Sequence, residues 1–256
     1  MLEKTLRKRL AEREILLMTH IVLGYPSFEE SLAVVESMVD AGVDLMELQI
    51  PFSEPIADGP VILHANQRAL QAGARVERCL RFAEDVAKRF DIPFLAMSYY
   101  NILFKFGVRD FAKALSAAGV RGAIVPDLPH EEADDYLSSM ADEGLDPIFI
   151  YSPNTTDARM AAIAKRARGF VYCVARKGVT GAETDFSSSL DAYLARCRAA
   201  TTLPLALGFG VKDRSDVDAL RGKADIAVIG SQTIRVMQER GVSGVGEFIA
   251  GLRPGA

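Results

Sequence analysis

Short apolar runs punctuate the chain, and the segments between them are longer and amphipathic. The runs at 16–23, 45–50, 94–99, 122–125, 147–151, 170–175, 205–207 and 226–229 predict strands. The segments between them repeat apolar positions at helical spacing. One of them, 27–41, starts with Ser27 and Glu30 at capping-box spacing and closes at Gly42. Strands alternating with helices predict a parallel α/β sheet, and about eight such runs match the number that a closed (β/α)8 TIM barrel requires. An open doubly wound sheet is the structural alternative. No Pro/Ser-rich linker and no shift in composition divides the chain, so residues 1–256 are expected to form a single barrel domain.

Chemistry concentrates where the second strand ends. From Met46 to Gln49 the chain alternates, and then Pro51, Pro55, Gly59 and Pro60 break it. Glu47 therefore sits near a strand end and Asp58 on the loop that follows. In parallel barrels the loops after the strands line the catalytic face. A glutamate at a strand end is more often solvated or ion-paired, and an Asp-Gly pair is more often a plain turn, so neither carboxylate identifies itself. A second signal is a pair of glycine clusters, Gly208-Phe209-Gly210 and Gly230-Ser231, each following one of the last two strands. Either alone would read as a tight turn. Together, with a helix running from Gly230 to about Arg240, they match the phosphate site that barrels build from those loops and a helix N-terminus. A polar connection at 176–183, with Gly178 and Gly181, reads either as a lid over the catalytic face or as an ordinary connector.

Composition narrows the field only a little. The formal net charge of -4, without a basic run, argues against a nucleic-acid partner. Cys79, Cys173 and Cys197 have no metal-ligand spacing and make a disulfide framework an unlikely design, so a reducing cytoplasm is the simplest location. The first fourteen residues are charged and lack a signal-peptide core, and no apolar run approaches the ~20 residues of a membrane span.

These residues carry a resemblance. The stretch 47–60 with its Ile50-Pro51-Phe52-Ser53 core, the segment 176–183, Gly208-Phe209-Gly210 and Gly230-Ser231 together resemble the tryptophan synthase α subunit family, collinearly over nearly the whole chain. The absence of tryptophan from all 256 residues fits an enzyme of tryptophan synthesis. The resemblance implies cleavage of indole-3-glycerol phosphate to indole and glyceraldehyde 3-phosphate. It makes Glu47 the acid/base group and Asp58 the acceptor of the indole N–H. Tyr172 would line the site and Thr180 would close it, while Gly181, Gly208, Phe209, Gly210, Gly230, Ser231, Gln49 and His20 would complete the substrate-binding set. It implies no cofactor in this chain. Pyridoxal phosphate is expected in a partner β subunit, assembled as α2β2, with Asn101 and Asp127 on loops that meet it.

The chain also departs from the family pattern. Gln49 stands where glycine is common, Glu54 where aspartate is, His20 where an aromatic ring is, and Ala175 where serine is. Alternation places Gln49 on the same face as Glu47, and Gln49 or His20 is expected to hydrogen-bond Glu47, Tyr172 or the substrate. The acid/base role favours a Glu47 pKa drawn toward neutrality by an apolar pocket, whereas a donor on its carboxyl would lower that pKa and make the free chain a slow lyase. Two other readings stay open. One is a weakly catalytic paralogue that mainly binds and activates a pyridoxal-phosphate β subunit, and the other is a different phosphate-sugar lyase. His64 and His130 read as solvated side chains.

Overall fold

The computed structural model describes residues 2–175 and 183–253, and the side chains of all of these except 183–188. Eight parallel strands close into a barrel in sequence order: β1 (Leu16–Val22), β2 (Leu45–Gln49), β3 (Phe94–Met97), β4 (Gly122–Ile124), β5 (Asp146–Tyr151), β6 (Val171–Val174), β7 (Leu205–Gly208) and β8 (Ile226–Ile229). Around it lie α1 (Leu2–Leu10), α2 (Phe28–Asp40), α3 (Pro60–Gln71), α4 (Val76–Arg89), α5 (Tyr100–Phe106), α6 (Val108–Ala117), α7 (Asp134–Asp142), α8 (Asp157–Arg166), α9 (Glu183–Ala200), α10 (Arg214–Asp218) and α11 (Ser231–Gly251). The expected barrel is the observed one, and the open sheet is excluded because β8 pairs with β1 from Leu16↔Ile226 to Thr19↔Ile229. Strand ends move by one or two residues. β3 stops at Met97 because the chain turns directly into α5, whereas β7 continues to Gly208, paired with Val174.

Strand alternation divides the apolar side chains into two cores. Leu16, Met18, Leu45, Leu95, Met97, Ile124, Ile148, Ala206, Ile226 and Val228 fill the barrel interior. Their neighbours, among them Leu17, Met46, Leu48, Ala96, Cys173 and Leu207, pack outward beneath the helices. This is why the strands read as continuous apolar runs: both faces are buried. Ser27 caps α2 as its spacing to Glu30 predicts, with Ser27 Oγ accepting from Glu30 N at 3.0 Å and donating to the Glu30 carboxylate at 3.0 Å. Gly42, at φ +85°, ends that helix in a conformation that side chains avoid. The helix from Ser231 breaks at Gly241 (φ 70°), next to the expected end at Arg240.

Helix α1 has no counterpart in the strand-and-helix pattern read above, where the segment registers only as charged. It is the plug of the barrel. Leu2 and Leu6, 2 % and 0 % exposed, join the interior cluster with Leu16, Met18 and Phe170 and so seal the N-terminal end. The i, i+4 spacing of Leu2, Leu6 and Leu10 was the available signal. The same end is pinned by Asp44, fully buried, which pairs with Arg13 and with Arg253 (2.6 Å) and accepts from Leu17 N at 2.8 Å. Arg9 adds a bond to the Asp44 carbonyl at 2.6 Å, so one carboxylate residue ties both terminal segments to the first two strands.

Truncating the plug tests this. Leu6→Ala is expected to cost about 3 kcal/mol in urea unfolding, the range for a fully buried leucine whose cavity cannot collapse. A loss below about 1 kcal/mol would show that α1 does not seal the barrel.

Candidate active site at the C-terminal face of the barrel

Glu47 is the middle residue of β2 and points inward, in register with His20 on β1 and Leu95 on β3. It is 5 % exposed, and among the described residues none hydrogen-bonds its carboxyl. Burial pushes its pKa up to about 7, with the nearby Asp58 adding to the rise and His20 opposing it. A carboxyl poised there can give a proton and take one back at neutral pH.

Asp58 lies on the loop between β2 and α3 and is held quite differently. Its Oδ2 accepts from Gln49 Nε2 at 2.7 Å and from the Tyr99 hydroxyl at 3.0 Å. The Tyr99 oxygen in turn accepts from Ala57 N at 3.1 Å, and its ring stacks on Phe52 with centroids 5.2 Å apart. Asn66 on α3 accepts from Phe52 N at 2.9 Å, which fixes the start of the loop. Tyr172, on β6, completes the group. Burial raises its hydroxyl well above the ordinary tyrosine pKa, helped by the two carboxylates, Glu47 and Asp58. Gly208 on β7 makes room for that hydroxyl: a Cβ there would lie 3.0 Å from it. A cavity of about 920 Å³ opens at this face, lined by Ala57, Gly59, Ile150, Val174, Gly208 and Ser231 among others.

The glycine clusters meet the other side of the cavity. Gly230 immediately precedes α11, whose N-terminus takes no side-chain cap among the described residues, so the helix dipole and its first backbone donors point at this side of the cavity. Space over Gly230 is open, with nothing within 4 Å of a Cβ built on it. Thr233 Oγ1 donates to the Gly230 carbonyl at 2.6 Å and lies 3.2 Å from the carbonyl of His20, which sets this helix start against the strand beside Glu47. Gly210 adopts φ +91°, so it is a turn residue in its own right. The Phe209 ring is buried in the outer core and only its backbone can serve a ligand.

Among the described residues neither Gln49 nor His20 donates to Glu47 or Tyr172: both ends of the Gln49 amide are taken, by Asp58 and by His20 Nε2 at 2.7 Å, and burial moves the Glu47 pKa toward neutrality. The donor that would lower this pKa, the premise of a slow lyase, is not found among them. Glu54 is exposed and takes no part in this network, and Ala175 hydrogen-bonds Gly208 O through its backbone at 3.0 Å. Thr180 and Gly181, with the rest of 176–182, lie outside the described residues. His64 is exposed on α3, but His130 is mostly covered and meets Glu131 at 3.2 Å. Tyr99 went unread as a site residue; its spacing of two from Met97 and four from Leu95, at a strand's end, was the signal.

The Glu47 shift predicts a pH-dependent stability. In the unfolded chain this carboxyl ionises near 4.5 and in the folded one near 7, so folding stability falls between those values as pH rises. Glu47→Gln removes that loss. The variant is expected to gain on the order of 3 kcal/mol over the parent at pH 8 relative to pH 4, read by denaturant unfolding at both. An equal difference at the two pH values would refute the raised pKa.

The wider comparison agrees with this geometry. A sequence model described as tryptophan synthase alpha chain matches residues 6–246. The tryptophan synthase alpha chain of Syntrophotalea carbinolica is 64 % identical over 253 residues, covering 99 % of this chain and 100 % of that protein. That of Desulforapulum autotrophicum is 63 % identical over 252 residues, covering 98 % and 100 %. Among solved structures, tryptophan synthase from Mycobacterium tuberculosis in an aminoacrylate-bound form superposes with a TM-score of 0.88 at 31 % identity, over 98 % of this chain and 99 % of that one. Tryptophan synthase subunit alpha from Legionella pneumophila gives 0.90 at 30 % identity, over 98 % and 96 %. With the family model spanning nearly all of the barrel and near-full-length relatives at such identity, this chain belongs to the tryptophan synthase alpha chain family.

Proposed function

We propose that this chain, acting as a single barrel domain, cleaves indole-3-glycerol phosphate to indole and glyceraldehyde 3-phosphate, with Glu47 and Asp58 as its catalytic pair. The observation that carries the reading is a buried carboxyl near pKa 7, free of donors among the described residues, on the strand preceding a loop carboxylate that is firmly anchored.

The chemistry is a retro-aldol cleavage. Protonation of the indole C3 by Glu47 turns the ring into a cation with its positive charge at the nitrogen. Asp58, fixed in place before charge develops, accepts the N–H hydrogen bond and stabilises that charge. The side-chain hydroxyl next to the ring then loses its proton to the Glu47 carboxylate. Its electrons form the aldehyde, the C–C bond breaks, and the bonding pair returns to C3 to restore neutral indole. One proton is given and one taken, so Glu47 ends as it began. The phosphate is assigned to the backbone of the loops at Gly208–Gly210 and to Gly230 and Ser231 at the start of α11.

A β subunit is the proposed partner, in an α2β2 assembly with pyridoxal phosphate in the partner and no cofactor in this chain. Two exposed apolar side chains support a covering partner on the catalytic side: Ile56, on the Asp58 loop, and Phe104, on α5, are 82 % and 70 % exposed. Asp127, on the loop after β4, accepts from Tyr100 N at 2.8 Å, which fixes the start of α5 and with it Asn101. No helix among the described residues is long and apolar enough to cross a membrane, which accords with a cytoplasmic location.

Indole release from indole-3-glycerol phosphate, with and without a β subunit, is the direct assay. Glu47→Gln is expected to lower turnover by at least ~100-fold while the fold and substrate affinity persist. Asp58→Ala should reduce turnover more than affinity, because its partner charge exists only on the way to the transition state. Near-parental turnover in either variant would remove that residue from the mechanism.

The phosphate assignment has its own check. In Gly230→Ala the added Cβ meets no atom within 4 Å, so the fold should survive while affinity for glycerol 3-phosphate in isothermal titration falls at least ~10-fold. Unchanged affinity would place the anion elsewhere. Gly210 is the poorer probe, since at φ +91° any side chain adds backbone strain.

A further inference from the structure

Asp58 is on a loop, yet it is tied to three adjacent strands of the barrel. Gln49, the last residue of β2 and 0 % exposed, donates from Nε2 to Asp58 Oδ2 at 2.7 Å. The other end of the same amide meets His20 Nε2, on β1, at 2.7 Å. An amide that donates through nitrogen can only accept through oxygen, so His20 carries a proton on Nε2 and the direction of the whole chain is set. Turning the amide over would put its oxygen against the Asp58 carboxylate, two acceptors with no proton between them. From the third side, Tyr99 just after β3 donates to the same Oδ2 at 3.0 Å. Among the described residues His20 Nδ1 has no partner, and the one side-chain bond of the imidazole is to Gln49.

Both donors converge on Oδ2, and among the described residues none donates to Oδ1. A half-exposed loop carboxylate with one anchor would turn about its χ angles, exchanging its two oxygens between solvent and ligand. With one donor from the end of β2 and one from the start of α5 on a single oxygen, the other is left as the acceptor, already aimed. We propose that Gln49 and His20 are positioning residues for Asp58: His20 locks the Gln49 amide, and Gln49 with Tyr99 holds Asp58 Oδ2 so that Oδ1 alone faces the N–H of the substrate's ring. This rests on the reading of Asp58 as the acceptor for that N–H. It assigns the two side chains to the carboxylate and not to the substrate itself.

Gln49→Met keeps the length of the side chain and removes both hydrogen bonds. It is expected to lower turnover about 10-fold, the scale of a small misplacement of a catalytic group, with KM changed less than about threefold. Because Gln49 acts through Asp58, the double variant Gln49→Met/Asp58→Ala should turn over within about twofold of Asp58→Ala alone, measured in single turnovers with enzyme in excess so that slow rates are resolved. His20→Phe, a second route to the same unlocked amide, should resemble Gln49→Met. His20→Gln, which can still donate to Gln49, should recover most of the loss. Parental turnover in both Gln49→Met and His20→Phe, or a further 10-fold loss on adding Gln49→Met to Asp58→Ala, overturns the positioning role. The reading of Asp58 fails separately: that outcome is parental turnover in Asp58→Ala itself, which would overturn both.

Discussion

A closed parallel barrel gives each strand residue one of two places to go, and every feature of this site follows from that alternation. Inward positions face only the barrel axis and the neighbouring strands, so what occupies them must be apolar or be satisfied there. Below the catalytic rung the solution is apolar, from Leu16, Met18 and Leu45 to Phe170, with Leu2 and Leu6 of α1 closing the end. One rung higher, His20 and Glu47 stand side by side in register. The apolar floor beneath them is what raises the pKa of Glu47, since the charged form has little water to turn to.

The two carboxylates differ because their surroundings do. Glu47 is on a strand and has no donor among the described residues, so it is kept near the balance between acid and base. Asp58 is on a loop and receives two donors on one oxygen, an arrangement that holds the carboxylate in one orientation. Environment alone separates an acid from a charge stabiliser within one small pocket, a division of labour that paired carboxylates use elsewhere. Gln49 is the hinge of this separation. By serving Asp58 it leaves Glu47 unaided, and a single amide thereby shapes both partners.

Stability and chemistry sit at opposite ends of the barrel. The N-terminal end carries the α1 plug and the buried Asp44 with its arginines, joining residues far apart in sequence. The C-terminal end carries the cavity, the open N-terminus of α11, and the exposed Ile56 and Phe104. Such a division lets loops at one end vary while the closure at the other is kept.

Much of this was legible in the sequence. The eight apolar runs, Ser27 with Glu30 and Gly42, the breakers after Gln49 and the paired glycine clusters are local signals, and local periodicity and turn chemistry determine strands, helix ends and loops. They determined the barrel, and they placed Glu47 and Asp58 at one strand-to-loop junction. The partner of each polar side chain was not legible. Alternation put Gln49 and Glu47 on one face, with Glu47, Tyr172 or the substrate as the expected partners; the amide instead reaches His20 on the adjacent strand and Asp58 on the loop that follows its own. Tyr99 and α1 were missed for the same reason, because a hydroxyl near a loop and a short charged helix under a barrel acquire their roles only from residues distant in the chain. Periodicity fixes which way a side chain points. Which group it meets is decided by closure, when eight strands are brought round until the last pairs with the first.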